Sequence, residues 1–333
     1  MNKTSASASV RMAKLNQVIT HENIKQLFIN NPDQIPGQGQ ATVSFLYERA
    51  AAGTHVTDVG YSIVMPVHNQ EEIIADNIAS AIAAMAGPDA FECIMIFDGC
   101  EDNSEAVVKR WFEGRDLGVL YPRLDRVVLV HQSTSIFETA ADNIGFVLSR
   151  GKYIIEIQAD MKILTPGFNE ILAAPCKVMP NVCGVSGRCC HAWSSSVGIG
   201  RLGMDFGVPG NIPDAHMKKF FVANTCNRGP LLLDRAKLAD LGYLDQHNFY
   251  LEDSDHDYFA RAYIQRGWMC GYTPIEVYAP MQHGSRRKPR NEENTRIHDF
   301  LKNRSNGGFF RANQHILKNA EHINVYDLAN VLV

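Results

Sequence analysis

The stretch IIEIQADMKI, residues 154–163, decides how the rest of this 333-residue chain is interpreted. It begins as a run of β-branched apolar residues and ends at a carboxylate, Asp160, which is typical of a buried strand that stops at an acidic residue. Such a residue lies at the carboxyl edge of a sheet, where open α/β sheets bind their ligands. Asp160 alone is open to two interpretations, because it either caps the next turn or holds a divalent metal against a phosphate.

Polar residues also end two earlier strands. The strand YSIVMPVHN ends at His68 and Asn69, and the strand FECIMIFDG ends at Asp98. Helical segments follow both, and this alternation predicts an α/β fold with a mainly parallel sheet flanked by helices. Parallel strands bring their carboxyl ends to one edge, so we expect these side chains to lie near Asp160.

The composition excludes several classes of protein. A formal net charge of -4 argues against general nucleic-acid binding. No apolar run is long enough to span a bilayer, and the first residues lack the apolar core of a signal peptide. The eight cysteines contain no CxxC pair, and several lie in apolar segments. We therefore expect a cytoplasmic globular protein with reduced, mostly buried thiols.

The segments on either side of this pattern carry less information. Short helices are predicted before residue 60, including one over residues 41–52. Residues 286–304 are basic and polar, and we expect a mobile segment there. A glycine hinge and one or two helices are predicted over residues 305–333. This extension either covers the ligand site or pairs with another subunit to form an oligomer, and the sequence does not separate the two.

A second group of acids lies in YLEDSDHDYFARAY, where Glu252, Asp253, Asp255 and Asp257 begin a predicted helix. One or two acids would suffice to cap the helix and match its dipole. Four acids repel one another, which raises some of their pKa values unless a cation or substrate offsets the repulsion. Such carboxylates beside a ligand site are suited to act as a general base.

A third feature is His283, which precedes a basic run containing Arg286 and Arg287. A lone histidine is more often structural, and a basic run is ordinarily a solvated loop. A histidine that joins Asp160 around a metal, followed by several cations, nevertheless suits a pyrophosphate site.

Together these motifs resemble glycosyltransferase family 2, whose members have the GT-A fold. The resemblance covers roughly residues 61–288 and rests on SIVMPVHNQEE, IFDGCEDNSEAV, FETAADNIG, YIIEIQADM, NRGPLLLDRAKLADLGYLD and LEDSDHDYFARAYIQRGW, in that order. It implies a Rossmann-like mixed sheet in one large GT-A domain, residues 60–288. The nucleotide-sugar half is 60–165 and the acceptor half 166–288, between an N-terminal helical arm, 1–59, and a C-terminal extension, 289–333.

The resemblance implies an inverting transfer of a sugar from a nucleotide diphosphate, usually a UDP-sugar, to a hydroxyl of a glycan or other small molecule. Mn²⁺ or Mg²⁺ is the implied cofactor, bound by Asp160 and His283. Asp98 is expected to bond the base and Asn143 to hold the nucleotide edge. The full implied donor set is Pro66, His68, Asn69, Glu71, Asp98, Asn143, Gln158, Arg286 and Arg287.

Two positions depart from the family pattern. Gln158 replaces the first aspartate of the DxD motif, so Asp160 alone supplies its metal ligand. The Glu-Asp pair points to Asp253 as the base, whereas the spacing to Arg261 points to Asp255. We prefer Asp255, since one helix places both the base and the arginine, and keep Asp253 as the second candidate.

Two other functions compete with this one. A catalytically silent nucleotide-sugar-binding protein is favoured only by Gln158. A sugar-phosphate nucleotidyltransferase usually has a glycine-rich basic loop after the first strand, but here that loop is PVHNQEE. A dehydrogenase is disfavoured because no GxGxxG follows a strand.

Overall fold

The computed structural model describes residues 41–49, 58–193, 200–204, 210, 212–279, 291–305, 307–319 and 324–331. Its strands are β1 (Thr42–Glu48), β2 (Val59–Val67), β3 (Ala90–Asp98), β4 (Leu124–Gln132), β5 (Tyr153–Glu156), β6 (Lys162–Ile163), β7 (Val182–Ser186), β8 (Cys189–Ala192), β9 (Gly200–Gly203), β10 (Lys219–Ala223), β11 (Thr225–Cys226), β12 (Leu231–Asp234), β13 (Met269–Tyr272), β14 (Val277–Tyr278) and β15 (Asn324–Asp327).

The helices are α1 (Ile74–Ala83), α2 (Ser104–Phe112), α3 (Leu117–Leu120), α4 (Glu138–Leu148), α5 (Phe168–Val178), α6 (Arg235–Leu241), α7 (Ser254–Arg266), α8 (Glu292–Arg304) and α9 (Gly308–Asn319), with one 3-10 turn at Asp214–His216. Within the described ranges, none of these helices combines the length and the apolarity that crossing a membrane requires.

A ten-stranded sheet in the order β1-β4-β3-β2-β5-β12-β7-β13-β10-β15 forms the centre of the fold. The strands β4, β3, β2 and β5 are parallel, and β7 and β13 are parallel. The strand β12 runs antiparallel between β5 and β7. Seven of the ten strands therefore point the same way, which confirms the predicted mixed, mainly parallel α/β sheet.

Both faces of this sheet are covered. Ile63 and Met65 of β2 pack with α1, α2 and α5 on one face. Val64, between them, packs with α4, α6 and α7 on the other. Successive side chains of a strand point to opposite faces, so a strand covered on both sides reads as a continuous apolar run.

Pro66 does not interrupt β2, although it has no N–H to donate. The pairing of β2 with β5 has already ended, since its last partners are Val64 and Glu156. On the other side Pro66 lies opposite Ile96 of β3. The proline therefore marks the point where β2 leaves β5 and opens the carboxyl edge of the sheet.

The helix predicted over residues 41–52 is wrong within the described residues, because residues 42–48 form β1. This strand pairs antiparallel with β4 at the edge of the sheet. Val43, Phe45 and Tyr47 are β-branched or aromatic residues at alternate positions, and such residues favour a strand packed against a neighbour. Residues 1–40 and 50–57 lie outside the described residues, so the rest of the arm stays a prediction.

The mobile segment predicted over residues 286–304 is also wrong for its described part, since Glu292–Arg304 form α8. The Asn291 side chain accepts a hydrogen bond from the Asn294 N–H at 2.7 Å, which caps the helix. The predicted helix after Arg304 is α9, which follows Gly307. An unpredicted strand, β15, then pairs antiparallel with β10.

Candidate active site

Polar side chains tie together the carboxyl ends of β2 and β3. His68 Nδ1 lies 2.6 Å from the carbonyl oxygen of Asp98. The Asn69 side chain accepts hydrogen bonds from the backbone of the loop after β3, and asparagine tolerates the φ of +52° found here. Glu71 Oε2 accepts from the Asn103 backbone at 2.9 Å and from its side-chain amide at 2.8 Å. The structure thus brings the first predicted residues together.

Asp98 clamps the turn that enters α4. Its carboxylate accepts hydrogen bonds from the Ser135 hydroxyl at 2.7 Å and from the N–H groups of Ile136 and Phe137 at 2.5 and 2.9 Å. Phe137 has a φ of +67°, which is strained for a bulky residue. Burial raises the pKa of Asp98 against the opposing effect of these hydrogen bonds. A contact with a base stays a prediction.

The chain turns after β5 and presents Gln158 and Asp160 at the same edge. Asn77 of α1 supports this turn by donating to the Ala159 carbonyl at 2.8 Å. Gln158 is half-buried and donates to Glu138 Oε1 at 2.7 Å. Asp160 is half-buried as well.

Three carboxylates that the sequence did not single out converge behind Gln158. Glu138 and Asp142 of α4 and Glu156 of β5 each offer an oxygen within 4.8 Å of the others. Arg228 lies among them, with Nη1 2.7 Å from Asp142 Oδ2 and Nη2 3.4 Å from Glu138 Oε2. We call these four residues the buried acid cluster. Its one sequence signal was Glu156, an acid inside the apolar run IIEI.

Burial dominates the electrostatics of this cluster. It raises the pKa of Asp142 to about 8 against the opposing charge of Arg228. It also raises the pKa of Glu156 well above its ordinary value, helped by the negative charge of Asp142. Asp142 Oδ1 and Glu156 Oε1 are buried without a hydrogen-bond partner. Since one guanidinium cannot neutralise three carboxylates, the cluster holds protons at neutral pH.

Asp255 is the acid of α7 that joins this cluster. It is 6% exposed, and its Oδ2 accepts the Arg228 N–H at 3.0 Å while its Oδ1 accepts the His256 N–H at 2.9 Å. Burial alone would raise the pKa of Asp255, but the charges of His256 and Arg228 and these two hydrogen bonds lower it. Asp255 is therefore ionised, and the raised pKa that the sequence predicted for a base in this group is wrong for it, whereas Asp142 and Glu156 retain protons.

The other acids of α7 have structural partners. Asp257 is buried, bonds Arg261 Nε at 2.7 Å, and accepts the N–H of Phe310 at the start of α9 at 2.8 Å. Asp253 precedes the helix with a φ of +61°, and its Oδ2 lies 3.5 Å from Arg311. The structure thus separates the two candidate bases, since Asp255 faces inward and Asp253 lies at the surface end of the helix.

Asn143 is held by the loop before α7. Its amide donates to the Leu244 carbonyl at 3.0 Å and to Gln246 Oε1 at 2.9 Å, and its Oδ1 accepts the Leu244 N–H at 3.1 Å. The nucleotide contact implied for Asn143 stays a prediction. His283, Arg286 and Arg287 lie outside the described residues.

Carboxylate oxygens at this edge have the chemistry that Mn²⁺ and Mg²⁺ require. The buried acid cluster is compact enough for an ion and contains two oxygens without partners. Arg228, however, already supplies the cation among those three carboxylates. Asp160 is a half-buried carboxylate at the strand end, and its role as a metal ligand stays a prediction.

Residues 62–188 match the family model described as Glycosyl transferase family 2. Over these residues the chain is similar to that family. The match confirms the predicted resemblance over these residues, which include both Gln158 and Asp160. Arg228 and Asp255 lie beyond the matched residues. A search of curated proteins found no match for this sequence.

Three solved structures are similar to this chain to different degrees. The structure of GalNAc-T7 with UDP, GalNAc and Mn²⁺ is matched with a TM-score of 0.52 at 14% identity, over 83% of this chain and 54% of that one. S. aureus TarS 1-349 in complex with UDP is matched with a TM-score of 0.46 at 15% identity, over 66% of this chain and 60% of that one. The mannosyltransferase PcManGT from Pyrobaculum calidifontis, with GDP-Man and Mn²⁺, is matched with a TM-score of 0.48 at 14% identity, over 90% of this chain and 80% of that one.

These similarities concern the fold, because the identities are low. The GalNAc-T7 match confirms the predicted GT-A architecture of the sheet and its flanking helices. The chain spans only 54% of GalNAc-T7 and 60% of the TarS fragment.

Proposed function

We propose that this chain is an inverting glycosyltransferase that moves a sugar from a nucleotide diphosphate donor, a UDP-sugar, to a hydroxyl of a glycan or other small-molecule acceptor. The observation that carries the proposal is Asp255. It is buried, ionised and fixed by two backbone N–H groups, those of Arg228 and His256. The N–H of the residue after Arg228 bonds Glu156 of β5, the strand that leads to Asp160. The family match over residues 62–188 supplies the class of reaction.

The donor binds, in this proposal, along the ends of β2, β3 and β5. His68 and Asn69 stiffen the first two ends by bonding to the loop after β3. Asp160 and His283 would hold Mn²⁺ or Mg²⁺, and Arg286 and Arg287 would add positive charge for the diphosphate. When bound, the metal would offset the charge that develops on the leaving diphosphate.

Asp255 accepts the proton of the acceptor hydroxyl as that oxygen attacks the anomeric carbon from the face opposite the diphosphate. Its lowered pKa keeps the carboxylate ionised at neutral pH, which is the form that a general base needs. Asp257 does not serve, because it is occupied by Arg261 and by the start of α9. Asp253 is less suited, since it lies at the exposed side of the helix start.

Asp255→Asn tests this assignment against the matched control Asp253→Asn. Transfer is measured with a panel of UDP- and GDP-sugars and Mn²⁺, with soluble hydroxyl acceptors. Asp255→Asn should lower kcat by about 10²–10⁴-fold, the usual contribution of a general base, with little change in donor affinity. Asp253→Asn should stay near wild type. The reverse result would make Asp253 the base.

Gln158 favours a second candidate, a silent nucleotide-sugar-binding protein, because a neutral amide bonded to Glu138 stands at the first DxD position. Donor hydrolysis in Mn²⁺ separates the two, since a silent binder hydrolyses no donor. Thermal-shift measurements with nucleotide diphosphates should show stabilisation that depends on Mn²⁺ and is lost in Asp160→Ala.

A further inference from the structure

We propose that Arg228 is a positioning residue of the transfer reaction, which fixes the Asp255 carboxylate relative to the end of β5. This inference rests on the proposed function, because it gives Arg228 a role through the base. Arg228 lies in a turn of residues 227–230 between β11 and β12, and we call this segment the arginine turn. It lies outside the residues that match the family model.

The backbone of the arginine turn joins two carboxylates. The Arg228 N–H donates to Asp255 Oδ2 at 3.0 Å, and the next N–H, of Gly229, donates to Glu156 Oε2 at 2.7 Å. One acid belongs to α7 and the other to β5. A shift of this turn therefore moves the base relative to the strand that presents Gln158 and Asp160.

The guanidinium anchors the same turn to a third element. It bonds Asp142 and Glu138 of α4, and its Nη2 also donates to the carbonyl of Leu251, just before α7. Arg228 is 4% exposed, so these contacts are shielded from solvent. Because the guanidinium is planar, its fork directs several hydrogen bonds at once, which an ammonium cannot reproduce.

Neighbouring residues hold the arginine turn closely against β5. Gly229 has a φ of +64°, and a Cβ built there would lie 2.9 Å from Gln158 Cγ, so the position needs glycine. Arg188 donates to the Arg228 carbonyl at 2.6 Å and reaches Gln158 Oε1 at 3.4 Å. The turn is thus bonded to β5, α4 and α7 together.

The charge of Arg228 and its backbone hydrogen bond both lower the pKa of Asp255. Four carboxylates face this guanidinium, and they keep it charged although its burial opposes charge. Arg228 in turn is one of the charges that lower the pKa of Asp255. The titratable and charged groups facing Asp255 are Arg228 and Cys226 from the arginine turn and β11, His256 on α7, His191 on β8, Asp142 on α4 and Cys270 on β13.

Two substitutions at Arg228 separate the effect of its hydrogen-bond geometry from the effect of its charge. Arg228→Met removes both, and should lower kcat by about 10²-fold, the effect of displacing a catalytic group by roughly 1 Å, with little change in the donor KM. It should also move the acid limb of the pH–rate profile to higher pH. Arg228→Lys keeps the charge without the fork, so it should lower kcat while the acid limb stays in place.

Arg126→Met and Arg126→Lys are the matched controls. Arg126 is also a buried arginine paired with a buried glutamate, Glu92, but it lies near the start of β4, at the opposite edge of the sheet. These variants should lose stability while the folded fraction keeps the wild-type kcat and acid limb. A folded Arg228→Met with wild-type kcat and acid limb would overturn the proposal. If Arg228→Met does not fold, a wild-type kcat in Arg228→Lys overturns it.

A titration that does not measure sugar transfer tests this inference independently of the proposed function. The Asp255 carboxyl carbon is titrated by NMR in wild type and Arg228→Met, with Asp255→Asn used to assign the signal. The pKa of Asp255 should rise in Arg228→Met, and an unchanged pKa would contradict the link between the two residues. If wild type transferred no sugar, the proposed function would fail while this titration still gave its own answer.

Discussion

Two fully buried glutamates of the same sheet have opposite electrostatic states. Glu92, near the start of β3, accepts hydrogen bonds from Ser62, from the Arg150 backbone and from the side chains of Arg126 and Arg150. Burial alone would raise its pKa, but the charges of the two arginines lower it to about 2. Glu156, at the end of β5, has a pKa well above its ordinary value, because burial and neighbouring acids outweigh the single Arg228.

The difference lies in the balance of charges at the two edges of the sheet. Two arginines face Glu92 and Asp125 at the amino edge, so the charges there cancel. One arginine faces four acids at the carboxyl edge. A buried excess of acid is costly to maintain unless protons or cations offset it. The same fold thus uses buried charge for stability at one edge and keeps unbalanced charge at the edge where the candidate site lies.

The largest effect is expected from removing the negative charge of Glu92 at the amino edge of the sheet. Glu92→Gln leaves Arg126 buried without its counter-charge, which should lower the free energy of unfolding by about 3–5 kcal/mol at pH 7. Folding depresses this pKa, so the stabilisation is present above the ordinary value of 4.5 and is lost as pH falls toward about 2. Urea unfolding at pH 7 and near pH 2.5 checks this. An equal loss at both pH values would contradict the assigned state of Glu92.

An effect of opposite sign is expected at Asp142. Folding raises this pKa from 3.8 to about 8, so folding favours the protonated form. Its contribution is intact below pH 3.8 and is lost as pH rises through 8. Asp142→Asn cannot ionise and still offers an oxygen to Arg228. Relative to wild type it should gain stability with rising pH, by at most about 1.4 kcal/mol per unit in this window.

Urea unfolding of Asp142→Asn and wild type at pH 5 and pH 9 measures that gain. Asp125→Asn, at the amino edge, is the control, because Asp125 pairs with Arg150. It should lose stability at both pH values. A difference between Asp142→Asn and wild type that does not change with pH would show that Asp142 is ionised throughout.

The sequence predicted the local features of this molecule better than those that depend on contacts between distant residues. The alternation of apolar strands with helices is local, and it led to the parallel sheet, to the strand ends at His68 and Asp98, and to the helix that carries Asp255. Strand β1 was mistaken for a helix because its partner, β4, lies about eighty residues further along the chain. Its edge pairing is a tertiary contact that short-range periodicity does not contain.

The buried acid cluster could not be predicted for a related reason. Glu138 and Asp142 lie on one helix, Glu156 on a strand and Arg228 in a later turn, so only the folded chain brings them together. Glu156 was the one visible signal, since an acid within an apolar strand needs a partner. The spacing to Arg261 favoured Asp255 over Asp253 as the base, and burial of Asp255 and its bond to the Arg228 N–H are features that the sequence could not show.

The smallest effect is expected when the same change, glutamate to glutamine, is made at Glu156, at the carboxyl edge of the sheet. Glu156 carries a proton at neutral pH, so Glu156→Gln replaces one neutral group by another of the same shape. The amide oxygen still accepts the Gly229 N–H, as Glu156 Oε2 does in the wild type. We expect a change of no more than about 1 kcal/mol at pH 7, the net value of one hydrogen bond.

Comparison of Glu156→Gln with Glu92→Gln isolates the environment, since the residue type, the substitution and the sheet are the same. Unfolding in urea at pH 7 gives both values under identical conditions. A loss in Glu156→Gln as large as that in Glu92→Gln would mean that Glu156 is ionised in the folded protein. The charge of Arg228 would then be neutralised by Glu156 and would not act on Asp255. The positioning role of Arg228 would rest on its hydrogen bonds alone.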